Sequence, residues 1–144
     1  MRDRLRALGA LSWRDAGLLC EAWVQLLLVD VSLRLWPLHR VREWAAPRRV
    51  PKVGAGHAGA WATCERLHWL VGIASRHHMV RMFCLQRSLA LQRLLGQRGI
   101  ASDLQIGVQK REGQVCAHAW LEVDGRPVGE TEPGRQQFLP LARP

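Results

Sequence analysis

Two side chains in this 144-residue sequence have the chemistry of a nucleophile and its base. Cys84 opens the run R-M-F-C-L-Q-R-S-L-A-L-Q-R-L-L-G-Q-R-G-I, and His118 lies in C-A-H-A-W-L-E-V-D-G-R-P-V-G-E. A thiol attacks as its thiolate, so it needs an environment that favours the anion and a nearby group that takes its proton. A helix N-terminus supplies the first, because its dipole favours negative charge. An imidazole supplies the second and can return the proton to a leaving group. Alone, each residue has an ordinary reading: a free cysteine is usually a small buried hydrophobe, and a lone histidine is usually structural. The order of the two, a cysteine at a helix start and then a histidine on a strand, gives the pair its weight. A third group should fix the imidazole tautomer. Glu130 and Glu132 are the candidates, and strand register decides between them. A two-residue turn at Asp124-Gly125 pairs Glu130 with Ala119 and turns it away from His118. A three-residue turn including Arg126, or a bulge near Pro127 or Gly129, brings Glu130 to the His118 face; with the three-residue turn Glu132 sits directly opposite His118. Glu122 shares that face but lies four residues along the strand, too far for contact.

These residues need elements to hold them. The spacing predicts a helix over Cys84–Gln97, with Cys84, Ser88, Leu91 and Leu95 in one row, Arg93 and Arg98 near its end and Gly96 and Gly99 stopping it. Leu104, Ile106 and Val108 alternate as a strand, and Lys110 to Gln114 is a polar turn. A strand over Val115–Val123 places Val115, Ala117, Ala119, Leu121 and Val123 on one face, and Cys116, His118, Trp120 and Glu122 on the other. Asp124-Gly125 is a hairpin turn and Arg126–Glu130 its return strand. Upstream, Ser12 can cap a helix over Trp13–Trp36 that ends before Pro37. Glu21, Gln25 and Ser32 form a narrow polar face on it, and Leu19, Trp23, Leu26, Leu27 and Leu33 cover the rest, so it should be covered on most sides, by its own domain or by a partner protein. Pro37, Pro47, Pro51, Gly54, Gly56 and Gly59 mark Trp36 to Gly59 as a linker or exposed loop. A further helix over Ala60–His77 carries Leu67, Leu70 and Ile73 or Ala74 on one face. Helices followed by a small antiparallel sheet define an α+β class. The expected organisation is one domain: an N-terminal helix and Pro/Gly-rich loop over 1–59, a catalytic core over 60–135 and a tail over 136–144.

Composition narrows the function classes. Hydrophobic residues make up 48% and charged residues 23%, which is a globular balance that can bury one core. The net charge of +9 is spread along the chain without a dense basic run, so nucleic acid is not the expected partner. The four cysteines, Cys20, Cys64, Cys84 and Cys116, have no C-x-x-C spacing and no disulfide-dense pattern, which points to a reducing cytoplasm. Cys116-x-His118 lacks a second ligand pair, so no metal is expected; no phosphate-binding glycine loop is present, so no nucleotide cofactor is expected either. Ala16 to Trp36 is the most hydrophobic stretch, but Glu21, Asp30 and Arg34 interrupt it, which favours a buried helix over a membrane span.

The runs Cys84-Leu85-Gln86-Arg87-Ser88-Leu89-Ala90-Leu91, Gly99-Ile100-Ala101-Ser102-Asp103-Leu104, Ile106-Gly107-Val108 and Ala117-His118-Ala119-Trp120-Leu121-Glu122-Val123-Asp124-Gly125 resemble the lasso peptide leader peptidase family, a transglutaminase-like protease of lasso peptide biosynthesis. The resemblance implies a papain-like fold, papain/transglutaminase-like in class, and a Cys-His-acid triad: Cys84 as nucleophile, His118 as base and Glu130 as acid, where the family's pattern commonly has Asp. It implies cleavage of the leader from a precursor peptide. It also implies two partners, a separate leader-recognition protein and the macrolactam-forming cyclase, since no winged-helix pattern precedes Ala60. The hydrophobic helix before Trp36 is a candidate docking surface for such a partner. For the oxyanion, the backbone N–H of Cys84 is one candidate and His78 another. Two rival readings remain: a transglutaminase-like acyltransferase, in which an amine replaces water, and a non-catalytic basic binding module.

Overall fold

A computed structural model describes residues 13–46, 58–111, 114–129 and 139–140. Among the described residues four helices come first: α1 (Trp13–Leu35), α2 (Leu38–Ala45), α3 (Ala58–Arg76) and α4 (Cys84–Gln97). The strands follow: β1 (Asp103–Arg111), β2 (Gln114–Val123), β3 (Arg126–Pro127) and β4 (Leu139–Pro140), in the sheet order β3-β2-β1-β4. This is the α+β arrangement the sequence predicts, helices packed on an antiparallel sheet.

One core joins the layers. Ala22, Leu26 and Val29 of α1 meet Cys64, Leu67 and Val71 of α3, Leu89, Leu91, Leu94 and Leu95 of α4, and Leu104, Ala119, Leu121 and Val123 of the sheet. Two ion pairs tie α1 to its neighbours: Arg98 Nη2 to Glu21 Oε2 at 2.6 Å, and Arg66 Nη2 to Asp15 Oδ2 at 2.6 Å. Of the two covers expected for α1, its own domain supplies one side only. Its inward row is buried, while Val24, Leu28, Val31 and Leu35 stand exposed.

Two elements replace expected loop and tail. Leu38–Ala45 is a helix, in the stretch that the prolines and glycines marked as a linker. Pro37 directly precedes it with extended backbone (φ −66°, ψ 152°), a helix-start position that needs no N–H from it. Val41 and Ala45 turn inward, and the Arg93 guanidinium lies 3.9 Å over the Trp44 ring while its Nη1 donates to the Trp44 carbonyl at 3.1 Å. In the expected tail, Leu139 and Pro140 pair with Val108 and Gly107 of β1. β4 is an edge strand, where a proline's missing donor costs no ladder hydrogen bond.

β1 and β2 pair from Asp103↔Glu122 to Arg111↔Gln114, with His118 opposite Gly107. Ala119, Leu121 and Val123 are buried as expected, but Val115 and Ala117 are exposed, because the distal half of the hairpin extends past the helices. The next turn is a two-residue one: Val123 pairs with Arg126 across Asp124 (φ +50°) and Gly125 (φ +76°). Both central residues are left-handed, as a type I′ turn requires. One face of α3 backs this hairpin. The Arg126 guanidinium sits 4.3 Å over the Trp61 ring, and the His68 ring occupies the space where any side chain at Gly129 would project.

Candidate active site

The N-terminal end of α4 is built to be held still. Cys84 is its first residue, half-buried and packed against the core, and Phe83 before it is extended (φ −94°, ψ 176°). Phenylalanine has no acceptor with which to cap a helix, so Gln86 does the work from the third position. Its Oε1 accepts the Phe83 N–H at 3.1 Å. Its Nε2 donates to Asp30 Oδ1 at 3.4 Å on α1. Asp30, only 6% exposed, also accepts from Arg34 Nε at 2.9 Å. A relay Arg34–Asp30–Gln86 thus anchors the turn that carries Cys84. The N–H groups of Cys84, Leu85 and Gln86 have no carbonyl within the helix to bond, which is the donor arrangement an oxyanion accepts.

The loop entering α4 rests on the same helix. His78 stacks on Trp23 of α1, with ring centroids 4.6 Å apart at 30°, and its Nδ1 accepts the Val80 N–H at 3.2 Å. That bond fixes the proton of a neutral imidazole on Nε2. Nε2 is buried and has no hydrogen-bond partner among the described residues.

One bond joins the cysteine helix to the histidine strand: Ser88 Oγ donates to the Ala119 carbonyl at 3.0 Å, both residues being buried. Cys84 lies one turn before Ser88, about 6 Å along the helix axis, and His118 is the chain neighbour of Ala119. The two sequence-predicted residues therefore flank a single helix–strand contact.

His118 is half-buried on the β2 face that carries Trp120 and Glu122. Its ring stacks on that of Trp120, with centroids 6.1 Å apart at 20°. Trp120 Nε1 donates to Glu122 Oε1 at 3.2 Å, and Gln105 Nε2 to Glu122 Oε2 at 3.4 Å. Trp120 is 4% exposed, so this face is covered at Trp120 while Cys116 on it stands exposed. Glu122 thus accepts from both Trp120 and Gln105. Opposite His118 stands Gly107, which puts no side chain beside the imidazole.

Glu130 and Glu132 lie outside the described residues. The hairpin leading to Glu130 has the two-residue turn, and pairing is followed through the Val128 N–H to the Leu121 carbonyl at 2.9 Å. Gly129 then adopts φ +71°.

The other cysteines differ in setting. Cys64 is fully buried in mid-α3, and burial pushes its thiol up from its ordinary value, away from the thiolate; Cys20 and Cys116 are exposed. Among the described residues, no three His, Cys, Asp or Glu side chains gather as metal ligands. The Gln86–Asp30 relay and the His68–Gly129 contact were not anticipated. The spacing Phe83-x-x-Gln86 is one signal that could have found the first, since a glutamine at the third helical position commonly reaches back to the cap N–H.

Helices packed on an antiparallel sheet, with a cysteine at a helix start beside a histidine strand, define an α+β protein of papain-like fold. Residues 25–143 match the family described as the transglutaminase-like superfamily, and the chain belongs to it. Members of that superfamily include cysteine peptidases, and the domain is of the cysteine protease or acyltransferase type. Comparison with curated proteins and with solved structures gave no significant match.

Proposed function

We propose that this protein is a cysteine peptidase that removes the leader from a lasso peptide precursor, with Cys84 as nucleophile, His118 as base and Glu130 as the acid orienting it. The observation that carries the thiol chemistry is the Ser88–Ala119 bond, which fixes the helix headed by Cys84 to the strand carrying His118. The substrate class rests on the motif runs between Cys84 and Gly125. In the first half-reaction the Cys84 sulfur attacks the carbonyl at the leader–core junction. The oxyanion takes hydrogen bonds from the free N–H groups of the first turn of α4. Collapse breaks the C–N bond as His118 gives its proton to the leaving amine. In the second half-reaction His118 takes a proton from water, whose oxygen attacks the thioester, and the carboxylate leaves as the thiol is re-formed.

The reading includes work in the cytoplasm beside a separate leader-recognition protein and a macrolactam-forming cyclase. The test is leader release from a precursor peptide with the leader-recognition partner present, followed by mass spectrometry. Wild type should release the leader with a free carboxylate, and Cys84→Ala should not. Cleavage by Cys84→Ala at the wild-type rate would end the proposal. Superfamily membership favours one second reading, acyl transfer; a product carrying a supplied amine in place of the new carboxylate would establish it.

A further inference from the structure

The exposed side of α1 is an uninterrupted apolar seam. Trp13, Gly17, Cys20, Val24, Leu28, Val31 and Leu35 are all exposed, Trp13 at 95% and Leu35 at 65%. At about 100° per residue these seven positions fall within an arc of roughly 80°, and they run about 33 Å along the helix. Ala22, Leu26 and Val29, fully buried in the core, lie on the opposite side. The stretch Asp15–Leu35 is long and apolar enough to cross a membrane, but its inward row belongs to the protein core. What the helix offers to an outside partner is a face, not a span.

We propose that this face docks on an anionic lipid bilayer, with α1 lying in the plane of the interface. The first argument is the lack of hydrogen-bonding groups. The seam presents only the Trp13 indole N–H and the Cys20 thiol, whereas protein interfaces carry about one hydrogen bond per 100–200 Å². Hydrocarbon asks for none. The second argument is charge. Each of the three acids on α1 is matched by an arginine: Asp15 by Arg66, Glu21 by Arg98 and Asp30 by Arg34, at 2.6, 2.6 and 2.9 Å. The helix thus shows an anionic surface no uncompensated negative charge, and the whole chain carries +9. Arg40 is exposed near the C-terminal end of the seam, beyond the half-exposed Trp36. Anionic headgroups attract such a surface, while a second copy of this chain would bring +9 against +9. An interfacial helix of this kind buries its apolar face at the headgroup–acyl boundary and depends on both terms, apolar area and charge.

The test is flotation of the full chain with vesicles of phosphatidylcholine alone and with phosphatidylglycerol added. Binding is expected to the second, to be weak with the first and to fall with added salt. The double variant Leu28→Glu/Leu35→Glu should lower partitioning at least about tenfold with an unchanged melting temperature. If the double variant does not fold, Leu35→Glu alone, at the more exposed of the two positions, carries the same expectation. Failure of the wild type to bind phosphatidylglycerol vesicles overturns the proposal, as does binding undiminished in a folded variant. Sedimentation of the wild type as a dimer that Leu35→Glu splits, without vesicle binding, would assign the face to a second copy and overturn it equally.

Discussion

Cys64 in the middle of α3 and Cys84 at the start of α4 are the same side chain on two helices that share one core, yet they are fitted for opposite roles. Cys64 is fully enclosed, and the loss of water drives its thiol toward the neutral form, with Glu65 and Asp124 adding to that effect and a backbone hydrogen bond opposing it. It belongs to the row Trp61–Cys64–His68 that backs the β2–β3 hairpin, so it works by filling space. Cys84 is half-buried at a helix end whose first N–H groups have no helical acceptor. Its turn is fixed by Gln86 and Asp30. Position on the helix and access, not residue type, are what would separate a nucleophilic thiol, as proposed for Cys84, from a packing one.

The comparison breaks most readily at Cys84. Cys84→Ala should reduce leader release by about 10⁴-fold or more and leave the melting temperature near that of wild type, since only a half-buried side chain is shortened. Cys64→Ser should do the reverse. It places a hydroxyl in a fully buried apolar site, at a cost of about 1–3 kcal/mol, while turnover per folded molecule is retained. Denaturant titration beside the activity assay checks both. If Cys64→Ser abolished activity in a folded protein, the assignment of the two cysteines would be wrong.

An effect smaller than the loss of Cys84 should come from the hairpin that the Cys64 face supports. Gly129→Ala is disfavoured twice: by φ +71° and by the His68 ring standing where its Cβ would go. We expect a loss of about 2–3 kcal/mol. His68→Ala should relieve the collision but not the backbone strain, so the double variant should recover only part of the loss. Additive losses in a double-mutant cycle would mean that the two residues do not touch.

How much of this could be read from the chain follows the same division. The helix over Cys84–Gln97 and the strands β1 and β2 were legible from local periodicity, although along β2 burial follows that period only from Ala119 to Val123 and takes in Trp120 from the other face. α2 was missed because Pro37 and the later prolines and glycines outweighed Leu38, Val41 and Ala45, a short inward row whose meaning depends on packing against α4. β4 was missed because a two-residue strand carries no period of its own and is defined only by Gly107 and Val108 opposite it. For α1 the sequence left open whether its own domain or a partner covers each side, since apolar residues on both sides of a helix do not say which side meets the core. Of the proposed site, Cys84 and His118 could be put forward from type and order. The relay through Asp30 was not, because it joins residues 56 positions apart in sequence.

That relay offers the next way to sharpen the contrast. Gln86→Leu keeps the bulk of the side chain but removes the acceptor for the Phe83 N–H and the donor to Asp30. The expected cost is about 1 kcal/mol in stability, with a fall in kcat at little change in KM, because the turn holding the nucleophile loosens. Gln86→Glu restores the acceptor to Phe83 while setting a carboxylate against Asp30, so it should recover less than the capping bond alone would give. Unchanged kcat in Gln86→Leu would leave Gln86 a structural cap only.

The smallest expected effect separates the thiols by pH. The folded-state pKa of Cys64 is raised above the ordinary value of 9.0. Below that value both folded and unfolded chains hold the proton, and the packing contribution of Cys64 is fully present. As pH rises past it, the unfolded chain ionises first, so this part of the stability declines until the folded thiol ionises in turn. The stability advantage of wild type over Cys64→Ala should therefore be largest near neutral pH and shrink in alkali, as read from denaturant midpoints across that range. Iodoacetamide should follow the same logic: peptide mapping should find Cys84 modified well before Cys64, with the exposed Cys20 and Cys116 as internal standards. Labelling of Cys64 as fast as Cys84 in the folded protein would show that α3 opens readily, and the distinction between a packing thiol and an accessible one would fail.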